Sequence, residues 1–254
     1  MKHYFGASFI FCSPVQTFAL SIGKYTKFIL RRMIMTEIKA CLFDLDGVLV
    51  DTAKYHYIAW KELADQLGFE FTEKDNERLK GVSRAASLNI LLEIGGLNLD
   101  DAEKAKLAES KNNRYVEYIS AMDSSEILPG ALAFLEDCRS QGIKIALGSA
   151  SKNAMTILDN TGLTPYFDAI IDGTKTSAAK PDPEVFLLGA EALGISPVNC
   201  VVFEDAEAGI EAASRAGMVS VGIGSPETLG AAALVVPSLL EMSVARLKEA
   251  FASV

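Results

Sequence analysis

Apolar side chains dominate residues 38–45 (IKACLFDL), and a turn-like segment, DGVLVDT, follows from position 46. A nearly continuous apolar run of this length is typical of a parallel strand that is covered on both of its faces. We therefore predict a buried β-strand at 38–45 that leads directly into a polar loop.

The next segment changes to a helical period. Apolar residues recur at the i, i+3, i+4 and i+7 spacing of an amphipathic helix, and Gly68 marks the predicted end of that helix. Helical patterns continue over residues 52–125, and none of this stretch reads as a convincing strand. The first repeat consists of Trp60, Leu63, Ala64 and Leu67.

Helices and short apolar strands alternate after Pro129 and Gly130. Strand-like segments such as IKIALG, CVVFED and VSVGIG are each separated by a helical pattern. This alternation predicts the α/β class, with a doubly wound parallel sheet that has helices on both faces. We place the core at 37–51 and 126–254. An α-helical cap at 52–125, inserted after strand one, would cover the carboxyl ends of the strands, where such sheets bind ligands.

The first 36 residues do not fit this pattern. Their apolar patches are interrupted, and none reaches the roughly 20 residues that a membrane-spanning helix needs. We interpret 1–36 as an N-terminal extension that results from a mis-assigned start, with translation beginning at Met33 or Met35. A targeting segment and an ordered accessory arm are the alternatives.

Composition narrows the function. The 254 residues are 50% hydrophobic and 22% charged, which allows a sizeable core and excludes disorder for the bulk of the chain. Five of the 24 basic residues lie in 1–36, which has no acidic residue, so all 33 acidic residues belong to the rest. So acidic a body is a poor partner for nucleic acid. We expect an enzyme that binds no nucleic acid or membrane.

Cysteine and histidine restrict the chemistry further. The four cysteines form no CxxC pair, and Cys41 and Cys200 lie in apolar runs, so we expect free thiols and a reducing, cytoplasmic location. His3 and His56 are the only histidines. A metal site built from several histidines is therefore excluded.

Carboxylates follow two of the predicted strands. Asp44, Asp46 and Asp51 come at or just after the end of the first strand, and Glu204 and Asp205 end the strand VVFED. Acidic residues do begin many loops, but buried acids at two strand ends need compensation. An all-oxygen ligand set without His or Cys indicates Mg²⁺.

Two further residues suggest phosphate chemistry. Ser149 ends the apolar strand IALGS, and Lys180 lies between Ala179 and Pro181 in a loop that joins sheet elements. A hydroxyl and backbone amides at a strand–helix junction can bind phosphate oxygens. Lys180 is a candidate phosphate clamp, although a single lysine is often only a solvated charge.

Taken in order, the segment 44–48 (DLDGV), Ser149, Lys180-Pro181 and Glu204-Asp205 resemble the four motifs of the haloacid dehalogenase superfamily. The resemblance covers residues 37–254, includes the position of the cap, and implies a Rossmann-like core. Within the superfamily, the chain is similar to the β-phosphoglucomutases, on the stretches DLDGVLVDTAKYHYIAWKELA, LKGVSRAASL, SKNNRY and GSASKN.

The resemblance implies roles for the motif residues. Asp44 would be the nucleophile that becomes an aspartyl phosphate, and Asp46 would be the general acid and base. Lys180 and Ser149 would hold the transferring phosphoryl oxygens. The implied Mg²⁺ ligands are Asp44, the main-chain oxygen of Asp46, Glu204 and Asp205.

The resemblance also implies a substrate site in the cap and in the loop after the second strand. Thr52 and His56 match residues implicated in cap closure, and Arg84 matches the cap residue that grips the second phosphate. The complete set of implied substrate-binding residues is Trp60, Gly81, Val82, Ser83, Arg84, Ser87, Lys111, Ala150, Ser151, Lys152 and Asn153.

We therefore expect a monomeric enzyme that converts β-glucose 1-phosphate to glucose 6-phosphate through β-glucose 1,6-bisphosphate. The alternative on the same fold is a sugar-phosphate phosphatase, in which water takes the phosphate from Asp44. A non-catalytic binding protein is a more distant alternative, because every expected chemical group is present.

Overall fold

The computed structural model describes residues 37–79 and 82–252. Its strands are β1 (Ala40–Phe43), β2 (Lys144–Gly148), β3 (Ala169–Ile171), β4 (Cys200–Glu204), β5 (Val219–Ile223) and β6 (Leu234–Val236). Its α-helices are α1 (Ala53–Leu67), α2 (Glu73–Asn76), α3 (Arg84–Ile94), α4 (Asp101–Ser120), α5 (Ala131–Ser140), α6 (Ala154–Thr161), α7 (Glu184–Leu193), α8 (Glu207–Arg215), α9 (Pro226–Leu229) and α10 (Val244–Ala252). The extension at 1–36, together with Cys12, lies outside the described residues.

The strands form one sheet in the order β3-β2-β1-β4-β5-β6, and every neighbouring pair is parallel. Strand β1 is fully buried near the middle, and Phe43 at its end pairs in register with Leu147 of β2 and Phe203 of β4. The residues that follow these three strands therefore meet at one edge of the sheet. The predicted doubly wound fold class is confirmed.

Strand β1 is shorter than the predicted strand at 38–45. The amide of Asp44 still donates to the Phe203 carbonyl at 3.0 Å, but the carbonyl of Leu45 accepts from Leu49 and Val50 instead of from a neighbouring strand. The chain therefore leaves the sheet at Asp44 and turns, which brings the carboxylates of this loop to the edge of the sheet.

Both faces of the sheet are covered by helices, as predicted. On one face, Phe43 stacks on Phe203 with ring centroids 4.7 Å apart, and Phe134 of α5 packs edge-on against both rings. On the other face, Leu42 packs with Phe186 of α7. The alternation of side chains along β1 thus supplies two separate apolar layers.

Helices α1 to α4 all lie between β1 and β2 in the chain, and α1, α3 and α4 contribute to a separate apolar cluster. Trp60, Leu63 and Ala64 are buried in that cluster, and Gly68 ends α1 in the left-handed conformation with φ of 86°. The helical prediction for this stretch is confirmed among its described residues. The division into a core at 37–51 and 126–254 and a cap at 52–125 stays a prediction.

The two chain segments that connect this helical insert to the sheet run side by side. Val50 and Ile127 form an antiparallel bridge. The amide of Asp51 donates to the Glu126 carbonyl at 2.9 Å, and the amide of Leu128 donates to the Leu49 carbonyl at 2.9 Å. We call this pair of segments, 49–51 and 126–128, the connecting ribbon.

Cys41, Cys138 and Cys200 are buried free thiols, as the apolar runs around Cys41 and Cys200 predicted. Among the helices within 37–79 and 82–252, none combines the length and the apolar character that a membrane span requires.

Candidate active site

A cavity of about 480 Å³ lies between the carboxyl edge of the sheet and the helical insert. Its sheet side is formed by loops that follow β1, β2 and β4 and by the loop that carries Lys180. Its opposite side is formed by α1, α3 and α4. The predicted site residues that line it are Asp44, Asp46, His56, Trp60, Val82, Ser83, Arg84, Ser87, Lys111, Ala150, Ser151, Lys152, Asn153, Lys180 and Asp205.

Three buried charges meet at the sheet end of the cavity. The Nζ of Lys180 lies 2.5 Å from Asp44 Oδ1 and 2.5 Å from Glu204 Oε1. Lys180 is 4% exposed and Glu204 is 1% exposed, so neither charge is stabilised much by water. The lysine therefore compensates the two carboxylates directly.

The ionisation of this group follows from its surroundings. Burial by itself would lower the pKa of Lys180, but the charges of Asp44 and Glu204 raise that pKa above its usual value. Burial raises the pKa of Glu204 to about 7; Lys180 opposes that rise, and Asp44 adds to it. Lys180 therefore stays cationic, and its single positive charge offsets part of the negative charge of the neighbouring acids.

Two glycines make room for the acidic side chains. A Cβ on Gly209 would lie 1.9 Å from Glu204 Oε1, and a Cβ on Gly47 would lie 2.2 Å from Asp205 Oδ2. Gly47 also has φ of 79°, a conformation that favours glycine. The amide of Ala206 donates to Glu204 Oε2 at 2.9 Å and fixes the carboxylate in this space.

Asp46 lies beside this group and faces the cavity. Burial and the negative charge of Asp44 raise its pKa to about 6, although the Thr52 hydroxyl, which donates to Asp46 Oδ1, works in the opposite direction. Both the protonated and the ionised form of Asp46 are therefore accessible near neutral pH. That is the property a general acid and base requires.

The described residues at the acidic end of the cavity supply the donor atoms of a metal site but not the converged geometry of one. Within the described ranges, no three His, Cys, Asp or Glu side chains converge as they would around a bound ion. Lys180 instead occupies one oxygen each of Asp44 and Glu204. Nevertheless, all the available donors are oxygens, and the carboxylates outnumber the single ammonium. This donor set fits a hard divalent cation.

The opposite end of the cavity is cationic. Lys111 on α4 is 4% exposed, and its Nζ lies 2.9 Å from His56 Nδ1 on α1. Burial, together with the nearby Arg84, lowers the pKa of Lys111 to about 7. Burial and the positive charges of Lys111 and Arg84 hold the pKa of His56 well below its usual value, so His56 is neutral beside Lys111.

Arg84 is the first residue of α3, and the Ser83 hydroxyl caps that helix by accepting from the Ala86 amide. Burial lowers the pKa of Arg84, which still remains a cation. Over residues 37–79 and 82–252, no carboxylate forms an ion pair with Arg84 or Lys111. This end of the cavity is therefore suited to an anionic ligand.

The loop after β2 connects the two sides. The Ser149 hydroxyl accepts from the Ser151 amide at 3.1 Å, and the Ser151 hydroxyl accepts from the Asn153 amide at 3.2 Å. Asn153 Nδ2 then donates to Asn112 Oδ1 on α4 at 3.1 Å. Lys152 between them is exposed.

Some predicted residues support the cavity instead of lining it. Thr52, Ser149 and Glu204 are buried behind its wall. Gly81 lies outside the described residues. The other predicted residues are brought together as expected, but their roles stay predictions.

The sequence prediction missed Tyr115, which lies one helical turn after Lys111 and also lines the cavity. Its ring stacks on His56 with centroids 4.0 Å apart. Among the described side chains, its hydroxyl is the only buried polar atom without a hydrogen-bond partner. The i, i+4 spacing from Lys111 on one helix was the signal that pointed to it. Asn76, Asn112 and the segment 176–179 line the cavity and were also missed.

A doubly wound parallel sheet with a cavity at its carboxyl edge, lined by Asp44, Asp46 and Lys180, defines an α/β protein that binds its ligand at that edge. The family model of the haloacid dehalogenase-like hydrolases matches residues 38–217, and the chain belongs to this family.

Particular members of the family resemble the chain more closely. The chain is 43% identical to the β-phosphoglucomutase of Bacillus subtilis over 213 residues, which are 83% of this chain and 94% of the relative. A phosphorylated carbohydrates phosphatase from Thermotoga maritima is 35% identical over 71% of this chain and 82% of its own. The crystal structure of a β-phosphoglucomutase from Clostridium difficile matches with a TM-score of 0.81 and 46% identity, and covers 85% of this chain and 97% of that one.

Proposed function

We propose that this chain is a β-phosphoglucomutase, an intramolecular phosphotransferase that interconverts β-D-glucose 1-phosphate and glucose 6-phosphate through β-glucose 1,6-bisphosphate. The observation that carries the proposal is the polarity of the cavity. A carboxylate nucleophile lies at one end, and two basic side chains, Arg84 and Lys111, lie at the other without a carboxylate partner among the described residues. The 43% identity to the Bacillus subtilis enzyme supports the same assignment.

Phosphoryl transfer begins at Asp44. A carboxylate oxygen of Asp44 forms a bond to phosphorus, while the bond from phosphorus to the donor oxygen breaks. Lys180 contacts Asp44 Oδ1 at 2.5 Å, which orients the carboxylate and places a positive charge beside the transferring oxygens. Ser149, buried at the end of β2, supports the loop that faces these oxygens.

Asp46 acts as the general acid and base for the sugar oxygens. In its protonated form it donates to the sugar oxygen that leaves, and in its ionised form it accepts the proton of the hydroxyl that attacks next. A pKa of about 6 keeps both forms populated near neutral pH. Thr52 holds the carboxylate through its hydroxyl.

We assign Mg²⁺ as the cofactor. Asp44, the main-chain oxygen of Asp46, Glu204 and Asp205 would hold it, and an oxygen-only donor set with excess carboxylate supports this choice. When bound, the cation supplies the positive charge that lets a phosphate approach an ionised carboxylate.

The cationic end of the cavity serves the second phosphate. A bisphosphate intermediate must bind in two orientations, so that each phosphate fits both ends in turn. Arg84 offers a planar, bidentate contact, and Lys111 adds charge beside it. Trp60 and the loop 151–153 also line the cavity.

A sugar-phosphate phosphatase is the second candidate, because the Thermotoga maritima relative carries that description. Both reactions share phosphorylation of Asp44. They differ in whether a sugar hydroxyl or water takes the phosphoryl group from it.

The test follows radioactive phosphate from substrate to enzyme and then to sugar or water. Asp44→Asn removes the attacking carboxylate, so we expect no acid-stable, hydroxylamine-sensitive phosphate on that variant. Asp65→Asn is the matched control, since Asp65 pairs with Lys61 on the exposed face of α1 and does not line the cavity. Accumulation of phosphate on the Asp44→Asn variant would contradict the assignment of Asp44 as the nucleophile. Release of label to water alone in the unaltered enzyme would favour the phosphatase.

We further propose a monomer in the cytoplasm, with a catalytic core at 37–51 and 126–254 and a helical cap at 52–125. Measurement of the mass in solution tests whether the protein is a monomer. Limited proteolysis within the connecting ribbon tests the division into core and cap.

A further inference from the structure

Glu126 joins the connecting ribbon to the start of the helical insert. Its carboxylate accepts from Lys54 Nζ at 2.5 Å and from the Tyr55 hydroxyl at 2.6 Å. Lys54 also lies 3.2 Å from Asp51 on the neighbouring segment. The Glu126 side chain is only 15% exposed, so these contacts are partly shielded from water.

Both partners of Glu126 belong to the first turn of α1. The start of the same helix also contacts two cavity residues, Asp46 and Lys111, through Thr52 and His56. The Thr52 hydroxyl donates to Asp46, and His56 Nδ1 contacts Lys111 Nζ at 2.9 Å. Glu126 thus holds this turn through Lys54 and Tyr55. The neighbouring residues Thr52 and His56 in turn contact the cavity residues Asp46 and Lys111.

We propose that Glu126 is a positioning residue for phosphoryl transfer, which holds the first turn of α1 so that Thr52 stays on Asp46 and His56 stays on Lys111. This inference rests on the proposed function, because it assigns Glu126 to the step that uses those groups. Glu126 itself does not line the cavity and touches no reacting atom.

Other contacts maintain the fold without the Glu126 carboxylate. The backbone hydrogen bonds of the connecting ribbon do not involve this side chain. The rings of Tyr55 and Tyr118 stack with centroids 5.7 Å apart and join α1 to α4 independently. Lys54 is 42% exposed, and ion pairs with so exposed a partner contribute little to stability. We therefore expect Glu126 variants to fold.

The experiment compares three variants with one control. Glu126→Ala removes both contacts, Glu126→Gln keeps an acceptor but not the charge, and Tyr55→Phe removes one hydrogen bond. Asp65→Asn is the control, because it breaks an exposed ion pair on the same helix about two to three turns after the helix begins. For each protein we measure kcat and KM for transfer to the sugar, the share of phosphate lost to water, and the melting temperature.

We expect kcat for transfer to fall about 5- to 30-fold in Glu126→Ala, the equivalent of losing one or two hydrogen bonds in the transition state. Glu126→Gln and Tyr55→Phe should lie between this variant and the unaltered enzyme. KM should change less than about twofold, since no substrate contact is removed. The share of phosphate lost to water should rise, and Asp65→Asn should match the unaltered enzyme in every measurement.

Transfer by Glu126→Ala equal to that by Asp65→Asn would overturn the proposal. So would a loss of kcat that Glu126→Gln does not partly rescue, or one that follows the melting temperature through all four variants. If the unaltered enzyme transfers nothing to sugar, the proposed function fails separately. The same comparison then uses sugar-phosphate hydrolysis, which also requires Asp46 as the acid, and an unchanged rate there overturns the role of Glu126.

Discussion

Replacing Lys180 with methionine tests the electrostatic basis of the site. The substitution keeps a long side chain beside Phe186, whose ring lies 4.9 Å from Nζ, and it removes the positive charge together with its hydrogen bonds to Asp44 and Glu204. Asp44 and Glu204 are then left as neighbouring buried carboxylates without their shared partner. We expect the variant to fold with reduced stability and to lose phosphoryl transfer.

The magnitude follows from the two contacts. At 2.5 Å and an effective dielectric constant of about 20, each lysine–carboxylate attraction is worth roughly 7 kcal/mol before desolvation is considered. Desolvation of the three charges offsets much of this. Removing one partner of a buried ion pair costs about 3–5 kcal/mol, and we expect a loss within that range at pH 8.5.

The loss should depend on pH with a definite sign. Lys180 opposes the rise in the pKa of Glu204, so its removal lets burial and Asp44 raise that pKa beyond about 7. A carboxyl whose folded pKa exceeds its unfolded value stabilises the fold when it is protonated, at low pH, and that stability is lost as pH rises through the folded pKa. The deficit of Lys180→Met should therefore be largest at pH 8.5 and smaller at pH 5.5.

Urea unfolding in the presence of a chelator measures this difference at both pH values. Lys180→Met combined with Glu204→Gln is the matched control, because it removes one of the two stranded charges and should recover part of the stability. A variant within about 1 kcal/mol of the unaltered protein at pH 8.5, or a deficit that grows on acidification, would refute the reasoning.

Two predictions concern the cationic end of the cavity. Arg84→Ala should lower the rate of isomerisation by roughly 30- to 1,000-fold. Slow hydrolysis of a small acyl phosphate through Asp44 should survive, because that substrate has no second phosphate for Arg84 to bind. Equal losses in the two rate assays would contradict the binding of the second phosphate by Arg84. Lys111, with a pKa of about 7, is mostly neutral at pH 8, and a bound phosphate dianion should raise that pKa. Binding at pH 8 should therefore take up a proton, measured by calorimetry in buffers of different ionisation enthalpy, and Lys111→Met should abolish the uptake. Identical heats in all buffers would exclude this response.

The sequence predicted the sheet edge well because its signal is local. Asp44 and Glu204 each follow an unbroken apolar run, and parallel strands place their carboxyl ends at one edge. The helical insert was equally readable from the spacing of Trp60, Leu63 and Ala64. The end of β1 was harder to predict from the sequence, because the turn at Leu45 depends on backbone hydrogen bonds and not on composition.

Contacts between distant segments were not readable. Glu126 lies 71 residues from Tyr55 and 72 from Lys54, and a solvated loop acid is the ordinary interpretation of such a residue. The directions in which the carboxylate side chains point could not be predicted either. Only the packing shows that Glu204 points back toward Lys180 while Asp46 faces the cavity.

The charges of the cavity explain why a cation belongs to the proposed chemistry. The basic end can accept a phosphate directly, because Arg84 and Lys111 have no carboxylate partner among the described residues. The acidic end cannot, since the charge of Lys180 is already shared between Asp44 and Glu204. A phosphate dianion that approached Asp44 there would meet net repulsion in a poorly hydrated space. In either orientation, a molecule with a phosphate at each end places one of them at this acidic end, where a bound divalent cation would offset the repulsion.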